Sequence, residues 1–216
     1  MFAKSALIVR GGWDGHEPKQ CSDIFVPFLK EQGYDVDVQD TVEVYADKDR
    51  MSKLSLIVQC WTMGAMTGEQ ERGLLDAVKS GVGIAGWHGG LCDSFRNNCE
   101  YQWMTGGQFV AHPGGVIDYT VNIVKPGDPI MEGISDFAMH SEQYYMHVDP
   151  SNDVLATTRI IGPNAPWVAG CVMPVVWKRT FGEGRVFYSA LGHVAKDFEG
   201  RECLEIMKRG MLWASK

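Results

Sequence analysis

Nowhere in this sequence does an apolar run approach the roughly 20 residues that a membrane-spanning helix requires, which argues against a membrane-embedded chain. The N-terminal run ending at Val9 is cut off by Arg10, Gly11 and Gly12, too early for a secretory signal, and a cytoplasmic location is expected. Cysteines are few, and none stands in a C-x-x-C pair: Cys21, Cys60, Cys92, Cys99, Cys171 and Cys203 are irregularly spaced. That pattern signals neither a zinc ribbon nor a disulfide framework, and reduced, largely buried thiols are expected. Positive charge is also in short supply, with 20 Lys and Arg against 27 Asp and Glu for a formal net charge of −7. Nucleic acid and anionic membrane surfaces would repel such a chain, so the expected partner is a neutral small molecule, with a homo-oligomer left open. Linker-like Pro/Ser stretches, internal repeats and low-complexity segments are absent too, and residues 1–216 read as a single domain.

What is present is an alternation of strands and helices. Ser5 to Val9 reads as a buried strand, followed by the loop Gly11-Gly12-Trp13-Asp14-Gly15-His16 and a helix opened by Pro18. That helix presents Ile24, Phe25, Phe28 and Leu29 on one face and ends near Gly33; Tyr34 to Val38 is a second strand and Leu54 to Cys60 a third. Thr67-Gly68-Glu69-Gln70 has the form of a capping box and leads a helix with Leu74, Leu75 and Val78 inward, ending at Gly81. Val82 to Gly86 is the next strand. These βαβ units predict an α/β fold, a three-layer sandwich around a mostly parallel central sheet, with ligands at the carboxyl ends of the strands. The second half reads as more β-rich: Tyr119 to Val124, Val154 to Thr158, and a β-hairpin near the C-terminal end of Pro174–Thr180 and Arg185–Leu191. An amphipathic helix from Arg201 to Trp213 closes the chain.

Three histidines fall where such a sheet gathers ligands. Gly86-Trp87-His88-Gly89-Gly90 has the Gly-x-X-x-Gly form of a nucleophile elbow, which thrusts its central side chain out at the top of the sheet, here an imidazole. The plainer alternative is a glycine-rich turn whose histidine only bonds the backbone. Gly184 to His193 is a hairpin strand that delivers His193 at its tip, as base, acid, metal ligand or helix cap. His16, with Asp14 beside it, follows the first strand and is expected at the same sheet edge as His88, or else in a surface loop. Glu142, in Ser141-Glu142-Gln143-Tyr144, could serve as an acid/base carboxylate or an acceptor for sugar hydroxyls. His112 is a weaker candidate ligand, and His140 and His147 are left unassigned. Trp87, Trp103 and Trp61 are candidate stacking platforms for a sugar, with core packing as the competing role. The loop at Gly11–Gly15 lacks the G-x-G-x-x-G spacing of a dinucleotide site.

In their order and spacing these segments resemble the trehalose-utilisation, or ThuA-like, proteins of the class I glutamine-amidotransferase-like superfamily. The resemblance rests on Gly15-His16-Glu17, on Thr67 to Gly90, on Ser141 to Tyr144, and most specifically on Gly182 to His193. It implies a flavodoxin-like, amidotransferase-like fold and a role in carbohydrate metabolism, with trehalose, related disaccharides or keto-sugars as the substrate class. In amidotransferases of that superfamily a cysteine occupies the elbow and a His-x-Glu pair follows. Here His88 stands at the cysteine position, His193 at the base position and Ala195 at that of the glutamate, so glutamine hydrolysis is not expected.

Three readings follow. In the first, an enzyme moves protons on an oxidised sugar, as an isomerase, hydratase, lyase or hydrolase, with His88 and His193 as acid and base and Glu142 holding hydroxyls. His16, Asp14, Trp87 and His112 would contact substrate. In the second, His16, His88 and His193 hold a divalent metal such as zinc. In the third, the chain is a non-catalytic sugar-binding or assembly protein whose ancestral site has decayed.

Overall fold

The structure is a computed structural model, and it describes residues 4–216; the first three residues of the N-terminal run lie outside it. In chain order the elements are β1 (Lys4–Gly12), α1 (Pro18–Glu31), β2 (Tyr34–Gln39), α2 (Lys48–Ser52), β3 (Leu56–Thr62), α3 (Gly68–Lys79), β4 (Gly83–Trp87), α4 (Gly89–Cys92) and α5 (Cys99–Thr105). They continue with β5 (Gly107–Ala111), β6 (Val116–Ile123), β7 (Phe137–Glu142), β8 (Tyr145–Val148), β9 (Asp153–Arg159), β10 (Val172–Phe181), β11 (Gly184–Ser189) and α6 (Arg201–Ala214).

Nine strands form one sheet in the order β2-β1-β3-β4-β11-β10-β9-β6-β7, while β5 and β8 pair separately. The five strands from β2 to β11 are mutually parallel, in the doubly wound order of flavodoxin-like sheets. The four inner ones, β1, β3, β4 and β11, are covered on both faces, and Leu7, Ile8, Val9, Ile57, Val58, Ile84, Val186 and Phe187 are all fully buried, which is why their sequences read as unbroken apolar runs, while the edge strand β2 alternates. From β11 onward the pairings turn antiparallel through β10, β9, β6 and β7. The α/β architecture is therefore as expected from the sequence, with an antiparallel extension on one side.

The helices pack as their patterns dictate. Cys21, Phe25 and Leu29 of α1 lie four residues apart and form its buried stripe, with Ile24 and Phe28 half-buried at its margins. The capping box of α3 is formed in both directions: Thr67 Oγ1 accepts from the Gln70 amide at 3.3 Å, and the Thr67 amide donates to Gln70 Oε1 at 2.8 Å. On α6, Gly210 lets the helix backbone lie against the Phe187 ring of β11. No helix among the described residues is long and apolar enough to cross a membrane.

One feature of the sheet sets up everything that follows. In a flat sheet, five strand steps of about 4.8 Å would hold β7 roughly 24 Å from β4. Yet Glu142, the last residue of β7, lies 3.1 Å from His88, just beyond β4. The antiparallel half must curl back over the carboxyl edge of the parallel half. Register shifts between β10 and β9 at Pro174, Val176 and Trp177 mark where the ladder bends, as bulges do.

Candidate active site

Four chain segments end at this carboxyl edge. After β1 the chain makes a short 3-10 turn, Asp14–His16, and buries the His16 side chain. After β3, Thr62 accompanies it: His16 Nδ1 and Thr62 Oγ1 are 2.9 Å apart. After β11, the chain leaves the sheet at Ala190 and reaches His193, whose amide donates to Asp197 Oδ2 at 2.9 Å. Asp197 also accepts from Ser141 at 2.6 Å, and Glu17 accepts from the Ala195 amide at 2.9 Å. These two carboxylates thus tie the His193 loop to the end of β7 and to the loop after β1.

His88 occupies the elbow between β4 and α4. Its backbone sits at φ 48°, ψ −139°, a region that a residue with a Cβ enters at a cost of about 1–3 kcal/mol. The turn is held by its own contacts: the His88 amide donates to the Ser189 carbonyl at 2.7 Å, and the Tyr188 hydroxyl donates to the His88 carbonyl at 3.1 Å. Small residues make room on either side. A Cβ on Gly89 would lie 2.5 Å from Cε1 of His16, and one on Gly90 would lie 2.9 Å from the Cα of Cys60. The expected elbow turn is present and strained, but its imidazole is buried, 1% exposed, beneath Tyr144 and Glu142 instead of standing out from the sheet.

The ring of His88 is fixed at both nitrogens. Nδ1 lies 2.8 Å from the carbonyl oxygen of Ala190, which can only accept, so Nδ1 carries a hydrogen and donates it. Nε2 lies 3.1 Å from Glu142 Oε2. Tyr144 stacks on the ring with centroids 3.8 Å apart. The other carboxylate oxygen, Oε1, faces His193 Nε2 and His112 Nε2, each at 3.7 Å. His16 closes the group, its ring centroid 4.8 Å from that of His88 and 5.3 Å from that of His193.

Burial and mutual proximity set the charges. Burial is the main reason that His16 is pushed down to about 3, reinforced by the neighbouring imidazoles of His88 and His193. His193 is lowered for the same reasons. Glu142 is lowered to about 2: burial works against ionisation, but the close contact with His88 and the surrounding imidazoles outweigh it. At neutral pH the centre therefore presents an ionised Glu142 among uncharged His16 and His193.

The expected residues divide cleanly. His16, His88, His193 and Glu142 come together, and His112 reaches the same carboxylate from a half-exposed position. Trp87 does not join them as a substrate contact: it is 1% exposed and packs between Phe25 and Phe198, because its side chain points into the layer beneath the elbow. Asp14 is exposed and does not line the cavity, whereas its neighbour Trp13 does. Trp61 packs along Gly11 and Gly64, and Trp103 lies over Phe181 at the amino end of β11, away from the centre. Of the expected metal trio, His193 stands off: the atoms that gather within 4.8 Å of one another belong to His16, His88 and Glu142. His140 pairs with Asp118 on the surface. Sequence reasoning missed Thr62, Asp197 and Glu17 as supports, since each acts through a contact with a segment distant in the chain.

Two cavities flank the centre. One of about 170 Å³ is bounded by Trp13, His16, Arg96, His112, Glu142 and Tyr144. A second, of about 400 Å³, lies on the far side of His193 against Ser141, Lys196 and Met139. No thiol shares the space. Cys92 is buried in α4, and burial pushes its thiol well above the usual range.

Comparison with known proteins bears on the fold and the family. Two solved structures described as putative ThuA-like proteins superpose on the chain. That from Bacteroides uniformis ATCC 8492 has TM-score 0.78 and 17% identity, covering 100% of this chain and 95% of its own. That from Parabacteroides merdae ATCC 43184 has TM-score 0.71 and 19% identity, covering 98% and 89%. A protein of Salmonella typhimurium LT2 described only as cytoplasmic matches with TM-score 0.67 and 11% identity over 98% of this chain and 100% of its own. At such identities these likenesses establish the fold alone. No curated protein matches the sequence. The trehalose-utilisation family pattern, by contrast, matches residues 5–214. The chain belongs to the trehalose-utilisation (ThuA) family.

Proposed function

We propose that this protein is an enzyme of carbohydrate metabolism that moves protons on a small sugar bearing a carbonyl, by isomerisation, hydration or elimination, and that it is not a glutaminase. The observation that carries this reading is the convergence of His16, His88, His193 and Glu142 on a strained elbow. A site relieved of catalytic duty has no reason to keep a backbone strained by about 1–3 kcal/mol or to bury a carboxylate among imidazoles.

The chemistry follows from the positions. Deprotonation beside a carbonyl requires a base poised near neutrality and a donor for the developing oxyanion. His193 is uncharged at neutral pH and lines the larger cavity, so it takes the proton. His88, whose Nδ1–H is anchored on Ala190, is buried and presents Nε2 toward the Glu142 carboxylate, through which it meets the cavity. Glu142 orients both imidazoles and accepts from a sugar hydroxyl. Missing from the elbow is any thiol able to form the covalent intermediate of glutamine hydrolysis.

Size supports a substrate larger than one ring. The 170 Å³ cavity alone falls below the roughly 300–1,000 Å³ usual for small-molecule sites, whereas the 400 Å³ cavity lined by His193 lies within that range. A disaccharide or its keto derivative, with one ring in the cavity lined by His193 and the other toward Glu142, is the proposed occupant.

The test is turnover of keto-disaccharides by wild type, His88→Ala and His193→Asn, with ligand affinity measured in parallel. Loss of turnover by about 100-fold or more in either variant, with the fold intact by circular dichroism, is expected for general acid–base groups. Unchanged turnover in both variants would remove His88 and His193 from the catalytic step, and sugar binding with no turnover in wild type would instead identify a non-catalytic sugar-binding protein.

A further inference from the structure

The orientation of His88 leaves a problem that hydrogen bonding within the protein does not solve. Because Nδ1 donates to the Ala190 carbonyl, the second nitrogen of a neutral ring offers a lone pair, and that lone pair points at Glu142 Oε2 from 3.1 Å. Two acceptors facing each other at that distance repel unless a cation lies between them. A proton would serve those two atoms, but a third ligand atom, from His16, stands with them inside 4.8 Å. His16 has its Nδ1 occupied by Thr62, which leaves Nε2 as its available nitrogen.

We infer that His16, His88 and Glu142 form a binding site for one divalent first-row metal ion of the zinc type. This deepens the sugar-enzyme reading and rests on it only for the ion's role, not for its binding. Two imidazoles and one carboxylate are a ligand set that zinc accepts, with a further position left for a substrate oxygen or water. Two ligands at about 2.1 Å from a tetrahedral ion lie about 3.4 Å apart, close to the 3.1 Å between His88 and Glu142. Ligating histidines nearly always donate the other ring nitrogen to a carbonyl, carboxylate or water, and His88 does so to Ala190 while His16 Nδ1 engages Thr62. His193 stays outside the ligand set, 3.7 Å from the other oxygen of Glu142, placed to exchange a proton with whatever the ion binds. An ion there would polarise a sugar carbonyl or hydroxyl.

The experiment uses full-length protein purified without a metal-affinity tag, stripped with chelator and titrated with zinc chloride by calorimetry and thermal denaturation. Wild type is expected to bind one equivalent and, at about 100 times Kd, to gain roughly 5–10 °C in Tm. His16→Asn and the isosteric Glu142→Gln lose saturable binding, the surface variant His140→Asn keeps it, and Thr62→Val weakens it roughly 10–100-fold. Absence of one-to-one binding in wild type, or wild-type affinity retained in His16→Asn and Glu142→Gln, overturns the site. The two readings fail separately: full turnover by metal-free protein overturns a catalytic ion while keeping acid–base catalysis, and tight zinc binding without turnover on any keto-sugar supports the ion site and removes the enzyme.

Discussion

At the scale of single residues, Gly89 is the position on which the centre is most finely balanced. Any Cβ there meets the His16 ring at 2.5 Å, so Gly89→Ala is expected to displace that imidazole while leaving the buried sheet untouched. Displacements of about 1 Å in a reacting group can lower turnover by about 100-fold. The expected result is therefore lost turnover with far-UV dichroism unchanged, and undiminished turnover would count against His16 as part of the centre. The thiols give a second residue-scale outcome. Burial pushes Cys21 up to about 12 and raises Cys60, Cys92 and Cys203, so at pH 8 these stay protonated and shielded. Alkylation of native protein, read by mass spectrometry, is expected first at exposed Cys99 and then at half-buried Cys171. Rapid labelling of Cys92 would mean that the elbow opens. His16, His88 and His193 were legible in the sequence because each follows a strand whose apolar run is unmistakable, so the topology alone assigns them to one edge. The burial of Trp87 was not legible, since whether a residue at the strand end points up or down depends on the turn geometry one residue later.

At the scale of elements, the parallel strands announce themselves because both faces are covered, and α3 because its cap is written into four consecutive residues. Thr67→Ala removes the side-chain acceptor for the Gln70 amide and is expected to lower stability by about 1 kcal/mol, measurable as a shift in the urea midpoint without a change in slope. Gly210→Ala forces α6 away from Phe187 and is expected to destabilise by roughly 1–3 kcal/mol; a neutral result would mean that the ring rotates aside. The strands β5, β7 and β8 carry no such mark in the sequence. They are short, half-exposed and interrupted by polar residues, so neither a continuous apolar run nor a clean alternation marks them. Glu142 sits at the end of one of these, which is why its part in the centre rested on motif resemblance and not on periodicity.

At the scale of the whole molecule, the curl of the antiparallel half over the parallel half is what creates the centre. Hydrogen exchange is expected to be slowest in β1, β3, β4 and β11, which are covered on both faces, and faster in β6 and β7 at the outer side of the sheet. Equal protection across all nine strands would contradict the view of a firm half clasped by a looser one. This division also fixes a sequence of events. His88 is anchored on Ser189 and Ala190 about a hundred residues further along the chain, and Glu142 reaches it across 54, so the centre closes only when both of these distant contacts have been made, and distant contacts form slowly. A refolding chain would thus acquire helical and strand signals before it acquires the Glu142–His88 contact, and recovery of turnover in a stopped-flow experiment would time the last closure of the molecule.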